Sequence, residues 1–395
     1  MMIIGRQVLT TCALLLAATI AAGADEAKPQ GSSPYVQWKN GPPKDESYFP
    51  IVVWDQEPSD APRYQKAGFN LYNGLWMGPT EAQLAELKKH GMHVICDQNA
   101  VGLAHKDDPI IVGWLQEDEP DNSQSLPGGK GYGPPILPAK IIKIYEAMRK
   151  ADPTRPVFLG FGQSVAWDGY NGRGERSGHP EDYAEYAKGG DIVAFDVYPV
   201  SHGEREIKGK PEYVGLGVER LVKWTGGRKI VWNTVECTAI DGAGKATPKQ
   251  VKAEVWMSLV HGSQGIQYFV HEFKPRENDH ALLDDPKMLA AVTAINKQIH
   301  ELAPALNSPT VKDALKVESS NKDVPVAAMV KKHGGATYVF AVPMKAGATE
   351  AVITLDGLPA GAKVEVLGED RKIEPADGKF QDHFGDWDVH LYRIK

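Results

Sequence analysis

The chain has 395 residues, of which 42% are hydrophobic and 24% charged, and its 44 Lys and Arg against 51 Asp and Glu give a formal charge of −7. This ordinary globular composition excludes an intrinsically disordered chain, a coiled coil and a collagen-like fibre. The acidic balance also argues against a nucleic-acid partner, which would require clustered Lys and Arg.

Residues 1–24 have the pattern of a secretory signal peptide. Arg6 precedes an apolar run that ends in the small-x-small site Ala22-Gly23-Ala24. The run is short for a transmembrane span of about 20 residues, and a polar segment follows it directly. We therefore expect cleavage before Asp25, a mature charge of −8 because Arg6 is lost, and export to the periplasm or the medium without a membrane anchor.

Residues 25–46 are rich in Pro, Gly and Ser and are predicted to form a polar linker. Beyond them, eight short β-prone runs alternate with segments of helical spacing. The runs are Tyr48–Trp54, Phe69–Leu75, His93–Asp97, Ile110–Leu115, Pro156–Gly162, Asp191–Tyr198, Lys229–Thr234 and Gly265–Val270. Runs that are apolar on both faces indicate parallel strands covered by helices. The pattern predicts a (β/α)8 TIM barrel over residues 47–307.

Amphipathic spacing and capping residues predict the helices between these strands. The helices are expected at Thr80–His90, Ala139–Ala151, Pro180–Ala187, Gly217–Thr225, Pro248–His261 and Pro286–Leu302. The segment Val101–Pro109 leaves room for only a short helix. An open doubly wound sheet is the alternative, but that fold usually has a Gly-rich loop after strand one, where this chain has Trp54-Asp55-Gln56-Glu57-Pro58.

The last part of the chain, residues 308–395, has short β-rich runs separated by Gly, Pro and Asp, with no helical pattern. The runs are Val326–Val330, Thr337–Val342, Ala351–Leu355, Lys363–Leu367 and Asp388–Ile394. This pattern of short strands and turns predicts a small C-terminal antiparallel β-sandwich.

Active sites of such barrels lie at the C-terminal ends of the strands, and here those ends are rich in carboxylates and aromatics with little Lys or Arg. Trp54 and Trp76 are the best-placed stacking platforms for a sugar. The other candidate substrate contacts are Asp55, Asp97, Asn99, Asp118, Asp196, Tyr198, His271 and Glu272. A structural role is the alternative for each of these residues.

Two carboxylates stand out, Glu119 after strand four and Glu236 after strand seven. Strand ends three apart in an eight-stranded ring can face each other across the mouth. Glycoside hydrolysis requires at least two facing carboxyl groups, one protonated and one ionised. Glu117 lies on the same side of the strand end as Glu119 by alternation and is its main rival as the acid.

With these residues in place, the sequence resembles clan GH-A glycoside hydrolases, which are retaining (β/α)8 enzymes. The clan's strand-four motif is usually Asn-Glu-Pro, and this chain has Asp118-Glu119-Pro120. The resemblance implies Glu119 as acid/base and Glu236 as nucleophile, with Tyr198 holding the nucleophile's rotamer. It also implies an O-glycosyl hydrolase acting on an oligo- or polysaccharide, with a carboxyl separation of about 5–5.5 Å; about 6.5–9.5 Å would indicate inversion.

Some features depart from the clan and keep a second hypothesis open. Asp118 replaces the usual Asn, strand two lacks an Arg, and Phe269–Phe273 lacks the common Trp. A non-catalytic carbohydrate-binding protein on the same barrel would also fit these departures. A metal-dependent hydrolase is a weaker hypothesis, because the sequence has no His-x-His or His-Glu-x-x-His motif, and no metal or cofactor is expected. Cys96 and Cys237 are expected to be buried thiols. The sugar, the linkage and the oligomeric state are not encoded in any pattern we identify.

Overall fold

The computed structural model describes residues 33–358 and 361–395. The predicted signal peptide and its cleavage site therefore lie outside the described residues. The remainder of the predicted linker, from Ser33, packs under the barrel. Tyr35 is buried there; its hydroxyl donates to the Gln264 carbonyl (2.8 Å) and accepts from the Trp232 indole (2.9 Å). In the described ranges, no helix is long and apolar enough to cross a membrane.

Eight parallel strands close into a barrel in sequence order, with the last strand paired to the first. All eight correspond to predicted runs. They are β1 (Ile51–Trp54), β2 (Leu71–Asn73), β3 (His93–Asp97), β4 (Ile111–Asp118), β5 (Val157–Phe161), β6 (Ile192–Asp196), β7 (Ile230–Glu236) and β8 (Ile266–Phe269). The prediction of a (β/α)8 barrel is confirmed.

Helices surround this barrel. They are α1 (Ala61–Lys66), α2 (Glu81–His90), α3 (Ala100–Ala104), α4 (Pro138–Ala151), α5 (Tyr183–Tyr186), α6 (Glu212–Trp224), α7 (Pro248–Val260) and α8 (Pro286–Asn307). Thr80 and Thr247 begin α2 and α7 with capping boxes, in which each Thr hydroxyl and a Gln three residues later satisfy free N–H groups. The predicted helix at Pro180–Ala187 is instead the single turn of α5 between two 3-10 turns.

The lower half of the barrel interior is solidly packed. Apolar side chains from alternate strand positions meet there with Tyr35 and Trp38, which close the bottom; they include Val52, Leu71, Ile95, Val112, Phe158, Ile192 and Trp232. Above them lies a polar layer in which Asn73 donates to Gln267 (2.7 Å) and Gln267 donates to Thr234 (3.0 Å). Within the barrel, the open space lies at the C-terminal mouth, where this fold places its active sites.

The C-terminal region forms two antiparallel sheets. Its strands are β9 (Leu315–Ser319), β10 (Val326–His333), β11 (Ala336–Pro343), β12 (Thr349–Leu355), β13 (Val364–Val366), β14 (Arg371–Ile373), β15 (Lys379–Phe384) and β16 (His390–Ile394). The orders are β10-β11-β16-β13-β14 and β15-β12-β9. Trp256 of α7 packs on Phe340 of β11 with ring centroids 5.1 Å apart, which joins this region to the barrel. The predicted β-sandwich is confirmed.

Candidate active site

Two adjoining cavities occupy the C-terminal mouth of the barrel. The first has a volume of about 280 Å³ and is lined by residues of β4 to β8, and the second has a volume of about 590 Å³ and lies toward β1 to β4. Trp54 and Asp118 line both, so the two cavities form one cleft. Both lie where sequence reasoning placed the active site.

Glu119 projects into the first cavity from the end of β4. Its backbone has φ +41°, a left-handed conformation that a non-glycine residue rarely adopts, and such strain concentrates at functional sites. Asn122 holds the carboxyl group by donating to Oε2 (2.8 Å). Gly162 makes room for this amide, because a Cβ there would lie 2.6 Å from its nitrogen. The loop after β4 thus fixes the direction of Glu119.

Glu119 lies beside Asp196, which ends β6 and lines the same cavity. Burial raises the pKa of Glu119 well above its usual value, and the nearby charge of Asp196 raises it further. Burial also raises the pKa of Asp196, to about 6, although hydrogen bonds from Glu119 and the Tyr198 hydroxyl oppose this. At neutral pH the proton therefore resides on Glu119 and the charge on Asp196.

Aromatic rings form much of the wall around this pair. Tyr198 packs on Phe269 with centroids 5.1 Å apart, and Phe269 packs on the exposed Phe273 at 5.9 Å. Trp54 and Tyr170 complete the wall. Flat apolar walls with a few convergent polar groups are typical of a site for a sugar ring.

The other carboxylates of the β4 end have different surroundings. Asp118 lines both cavities, and its partial loss of water and the charge of Glu119 raise its pKa. Glu117 is exposed and lines only the second cavity. Asp121 is fully buried and accepts from the Gly162 N–H (3.0 Å) and the Tyr183 hydroxyl (2.6 Å), which gives it a structural role in the β4 loop. Of the three, only Asp118 shares the first cavity with Glu119.

Glu236 lies outside both cavities, although it ends β7 as predicted. Its side chain is 0% exposed, and its carboxylate accepts the N–H groups of Val200 (2.6 Å) and Ser201 (2.7 Å) in the loop after β6. Burial raises its pKa to about 7. The structure thus does not bring Glu236 together with Glu119 at the first cavity, and its assignment as nucleophile stays a prediction.

Glu254 of α7, also 0% exposed, is the neighbour of Glu236 behind the barrel wall. Neither oxygen of its carboxyl group has a hydrogen-bond partner among the described residues. Burial and the charge of Glu236 raise the pKa of Glu254 well above its usual value. Burial therefore favours the protonated form of Glu254 in the folded protein.

This raised pKa predicts a pH-dependent stability. Between the unfolded-state pKa of Glu254, about 4.3, and its higher folded-state value, the folded protein holds a proton that the unfolded chain has lost, so stability falls as pH rises. Glu254→Gln cannot titrate. We expect the free energy of unfolding of the wild type to fall relative to that of this variant between about pH 4 and pH 8. Urea unfolding across that range measures the difference. The exposed Glu219→Gln serves as control, and parallel wild-type and Glu254→Gln curves would contradict the assignment.

The second cavity collects several predicted substrate contacts. Asp55, Asp97 and Asn99 line it, and Trp76 forms its open edge with 71% of its surface exposed. Asp55 has φ +41°, like Glu119. Asn99 is partly committed to structure, because it caps α3 by accepting from the Gly102 N–H (2.8 Å) and donates to the Pro79 carbonyl (3.0 Å). Trp54, Trp76, Asp55 and Asp97 remain available to a ligand.

Two predicted contacts after β8 lie outside the cleft. His271 is buried, and its Nε2 lies 3.0 Å from the Gln56 amide nitrogen and 3.2 Å from the Trp54 carbonyl. Glu272 pairs through its backbone with Ile240 and Asn278. Neither residue lines either cavity. Both positions serve the loop that supports the β8 edge of the mouth.

Sequence reasoning missed the floor and one side of the first cavity. Thr234 and Gln267 form the floor, and Gln163 and Tyr170 contribute from the loop after β5. The floor residues were predictable in principle, since both occupy inward positions near the C-terminal ends of β7 and β8. The side residues lie in an irregular loop, where no periodicity indicates direction.

The described ranges contain no group of three or more His, Cys, Asp or Glu side chains arranged to hold a metal ion. Cys96 and Cys237 are buried free thiols, as predicted. The titratable side chains that line the mouth are carboxyl groups and the tyrosines Tyr170 and Tyr198. Their arrangement can deliver a proton from Glu119 while keeping a negative charge on Asp196.

Comparisons with known proteins locate the fold but not a family. The sequence matches no protein-family profile and no curated protein. Among solved structures, it is similar to a family 39 glycoside hydrolase from Bacteroides cellulosilyticus WH2, with a TM-score of 0.54 and 12% identity over 90% of this chain and 83% of that one. It is also similar to an alpha-galactosidase candidate from Bacteroides fragilis NCTC 9343, with a TM-score of 0.54 and 11% identity over 88% and 79% of the two chains. At such identities the likeness shows a shared fold alone.

Proposed function

We propose that this protein is a glycoside hydrolase that cleaves O-glycosidic bonds of an oligo- or polysaccharide, with Glu119 as the proton donor. The observation that carries the proposal is that two carboxyl groups, those of Glu119 and Asp196, line one aromatic-walled cavity at the barrel mouth. The two neighbours in fold whose printed titles name glycosidases add support at the level of fold.

Glu119 and Asp196 have different roles in the proposed hydrolysis. Glu119 keeps its proton at neutral pH and gives it to the departing glycosidic oxygen. Asp196 keeps its negative charge and stabilises the positive charge that develops on the sugar ring. We propose Asp196 as the ionised partner, because it lines the same cavity and its charge acts most strongly on Glu119.

The reaction's stereochemistry depends on the separation of the two carboxyl groups once a sugar is bound. A separation of about 5–5.5 Å is typical of retaining enzymes and one of about 6.5–9.5 Å of inverting enzymes. The anomer of the first-formed product, measured by NMR, distinguishes the two outcomes.

Retention with Glu236 as nucleophile is the competing assignment, implied by the clan GH-A resemblance. It requires the Glu236 carboxylate to leave the N–H groups of Val200 and Ser201. Each hydrogen bond to a charged acceptor contributes about 1.5–3 kcal/mol, so this rearrangement is costly. The observed hydrogen bonds favour Asp196.

The first experiment is turnover of a panel of aryl α- and β-glycosides and of oligosaccharides with the purified protein. Release of the aryl group or of sugars from one class supports the hydrolase and identifies its substrate. The second candidate is a carbohydrate-binding protein without turnover. It is favoured by the position of Glu119 beside Asp196, because the clan's enzymes instead pair the acid with the carboxylate at the position of Glu236. In that case sugars raise the Tm of the wild type and of Glu119→Gln equally, and none is cleaved.

We also propose that the protein is exported, on the evidence of the signal-peptide pattern in residues 1–24. Export would give the enzyme access to polysaccharides outside the cytoplasm. The mature chain is then expected to begin at Asp25, which N-terminal sequencing of the secreted or periplasmic protein determines.

A further inference from the structure

The side chain of Gln163 lies in the first cavity, close in the chain to residues that fix the loop of Glu119. Gln163 lines the cavity and directly follows Gly162, the residue that makes room for the Asn122 amide. The Gly162 N–H also donates to Asp121 in the loop after β4 (3.0 Å). The beginning of the loop after β5 is thus attached to the loop that carries the proposed proton donor. The proposed hydrolysis assigns no role to Gln163.

His202, in the loop after β6, contacts the Gln163 amide, and its hydrogen bonds fit only one tautomer. Its Nδ1 accepts the backbone N–H of Glu204 (3.0 Å) and therefore carries no proton. Burial lowers the pKa of the imidazole, although the charges of Asp241 and Glu204 oppose this, so the ring is neutral near pH 7. The proton of the neutral ring then lies on Nε2. This nitrogen is 3.0 Å from Gln163 Oε1 and donates to it.

The position of the His202 ring is fixed by the surrounding protein. The ring packs on the buried Trp167, with centroids 5.2 Å apart and an interplanar angle of 81°. His202 also directly follows Val200 and Ser201, whose N–H groups donate to the Glu236 carboxylate. The imidazole is therefore already in place to orient the Gln163 amide before any ligand binds.

The hydrogen bond from His202 determines which end of the Gln163 amide is free. Oε1 accepts the imidazole proton, whereas Nε2 has no hydrogen-bond partner among the described residues and is not fully buried. Gln267, the other glutamine of this cavity, differs: its Oε1 accepts from Asn73 (2.7 Å) and its Nε2 donates to Thr234 (3.0 Å). Gln163 thus offers the cavity a free N–H donor, while both ends of the Gln267 amide are already hydrogen-bonded.

A sugar hydroxyl group complements an N–H donor that lies in a cavity with carboxylates. Such a group accepts a hydrogen bond from the N–H and donates its own proton to a second acceptor. Asp118 and Asp196 line the same cavity and can accept that proton. Gln163 and these acids therefore supply both kinds of partner that a hydroxyl group needs.

We propose that Gln163 is a specificity-determining residue, whose Nε2 donates to one hydroxyl group of the sugar ring bound beside Glu119, and that His202 is the positioning residue that directs this nitrogen to the sugar. The inference rests on the proposed function, which makes the ligand of the first cavity a sugar. It predicts selection at a single position of the ring, because a site built to hydrogen-bond a hydroxyl group rejects an analogue that lacks it.

The first test is a double-mutant cycle between enzyme and substrate. It uses the 4-nitrophenyl glycopyranoside that the protein cleaves fastest, its monodeoxy analogues, and Gln163→Met, which keeps the length of the side chain without the donor. We expect this variant to lower kcat/KM on the parent glycoside by about tenfold. On one deoxy analogue the variant and the wild type should be equally active, because the missing hydroxyl is the partner of the missing donor. A similar loss on every analogue overturns the proposal.

Gln37→Met is the matched control for the cycle. It makes the same chemical change at an exposed glutamine beside Trp38, which closes the bottom of the barrel, on the side opposite the mouth. We expect it to leave kcat/KM unchanged on the parent glycoside and on all the analogues. A loss in Gln37→Met equal to that in Gln163→Met would mean that the cycle reports general destabilisation, and the proposal would fail.

A second comparison distinguishes positioning by His202 from structural support. His202→Phe keeps a ring against Trp167 but cannot donate, and His202→Gln keeps an N–H donor near the position of Nε2. We expect His202→Phe to lower kcat/KM about as much as Gln163→Met, the combined variant to lose no more than either alone, and His202→Gln to recover most of the loss. Losses that add in the combined variant, or no recovery in His202→Gln, overturn the positioning role.

The outcomes also distinguish this inference from the proposed function. If the wild type cleaves a glycoside and Gln163→Met is equally active on it, the hydrolase proposal stands and this inference fails. If no glycoside is cleaved, Tm shifts with the methyl glycosides of glucose, galactose, mannose and xylose measure binding instead. A Tm rise in the wild type that is smaller in Gln163→Met then supports this inference without the hydrolase, whereas equal shifts in both proteins, or none, overturn it.

Discussion

Replacing Glu119 by glutamine is expected to lower kcat/KM on an unactivated glycoside by about 10²–10⁴-fold, the usual contribution of a positioned general acid. Glutamine has nearly the same shape and its oxygen can still accept from Asn122, so the fold should be intact. It has no proton to give to the departing oxygen. The loss should therefore be far smaller for a glycoside whose nitrophenolate leaving group needs no protonation. Steady-state kinetics on leaving groups of different pKa measure this.

Glu117→Gln is the matched control for this experiment. It makes the same chemical change two residues earlier on the same strand end, at an exposed side chain that lines only the second cavity. On neutral substrates we expect less than about a tenfold loss and no dependence on the leaving group. A large, leaving-group-dependent loss in Glu117→Gln but not in Glu119→Gln would transfer the role of proton donor to Glu117.

The barrel could be predicted from the sequence because its strands are short runs buried on both faces. Examples are β6, with the sequence Ile-Val-Ala-Phe-Asp, and the first part of β7, with Ile-Val-Trp. A surface helix has polar residues every few positions and does not contain such runs. Helix α1 was missed because its six residues, APRYQK, are too few to show a period. Local patterns therefore predicted the regular elements and failed at the shortest ones.

In the C-terminal region, several strands could not be predicted from the sequence. Strands β9 and β14, Leu-Lys-Val-Glu-Ser and Arg-Lys-Ile, lie at sheet edges and have no fully buried residue, so they lack the hydrophobic signal of a strand. Strand β15 alternates buried Phe380, Asp382 and Phe384 with exposed residues. Its buried Asp382 is paired with Arg371, a partner eleven residues away that no local pattern reveals. The sandwich was predictable as a class, but not strand by strand.

At the site, the sequence predicted which strand ends carry the chemistry but not the direction of every side chain. Ile230 and Trp232 point into the barrel and Thr234 faces the first cavity, so alternation would direct Glu236 inward as well. Two backbone N–H groups in the loop after β6, 35 and 36 residues earlier in the chain, take up its carboxylate instead. That contact depends on the closed barrel, and only the three-dimensional structure shows it.

Replacing Asp196 by asparagine is expected to lower kcat by at least about 10²-fold, because the negative charge that faces Glu119 is lost. The variant should also shift the pH profile. Activity requires Glu119 to be protonated, so it falls as pH rises through the pKa of Glu119. The charge of Asp196 raises that pKa, so its removal lowers it. The residual activity of Asp196→Asn should therefore decline at a lower pH than that of the wild type.

Glu236→Gln is the decisive comparison for Asp196→Asn, since both remove one carboxylate and keep its size. If Asp196 is the reacting partner, Glu236→Gln retains kcat within about tenfold and instead lowers Tm, because the amide is a weaker acceptor for the N–H groups of Val200 and Ser201. If Glu236 is the nucleophile, the pattern reverses: Glu236→Gln loses turnover, and Asp196→Asn keeps most of it. Added azide identifies the group that was removed, because an azide ion can occupy the vacated space and restore turnover as a glycosyl azide. Its anomeric configuration, read by NMR beside that of the wild-type product, then shows which face of the sugar the lost carboxylate approached.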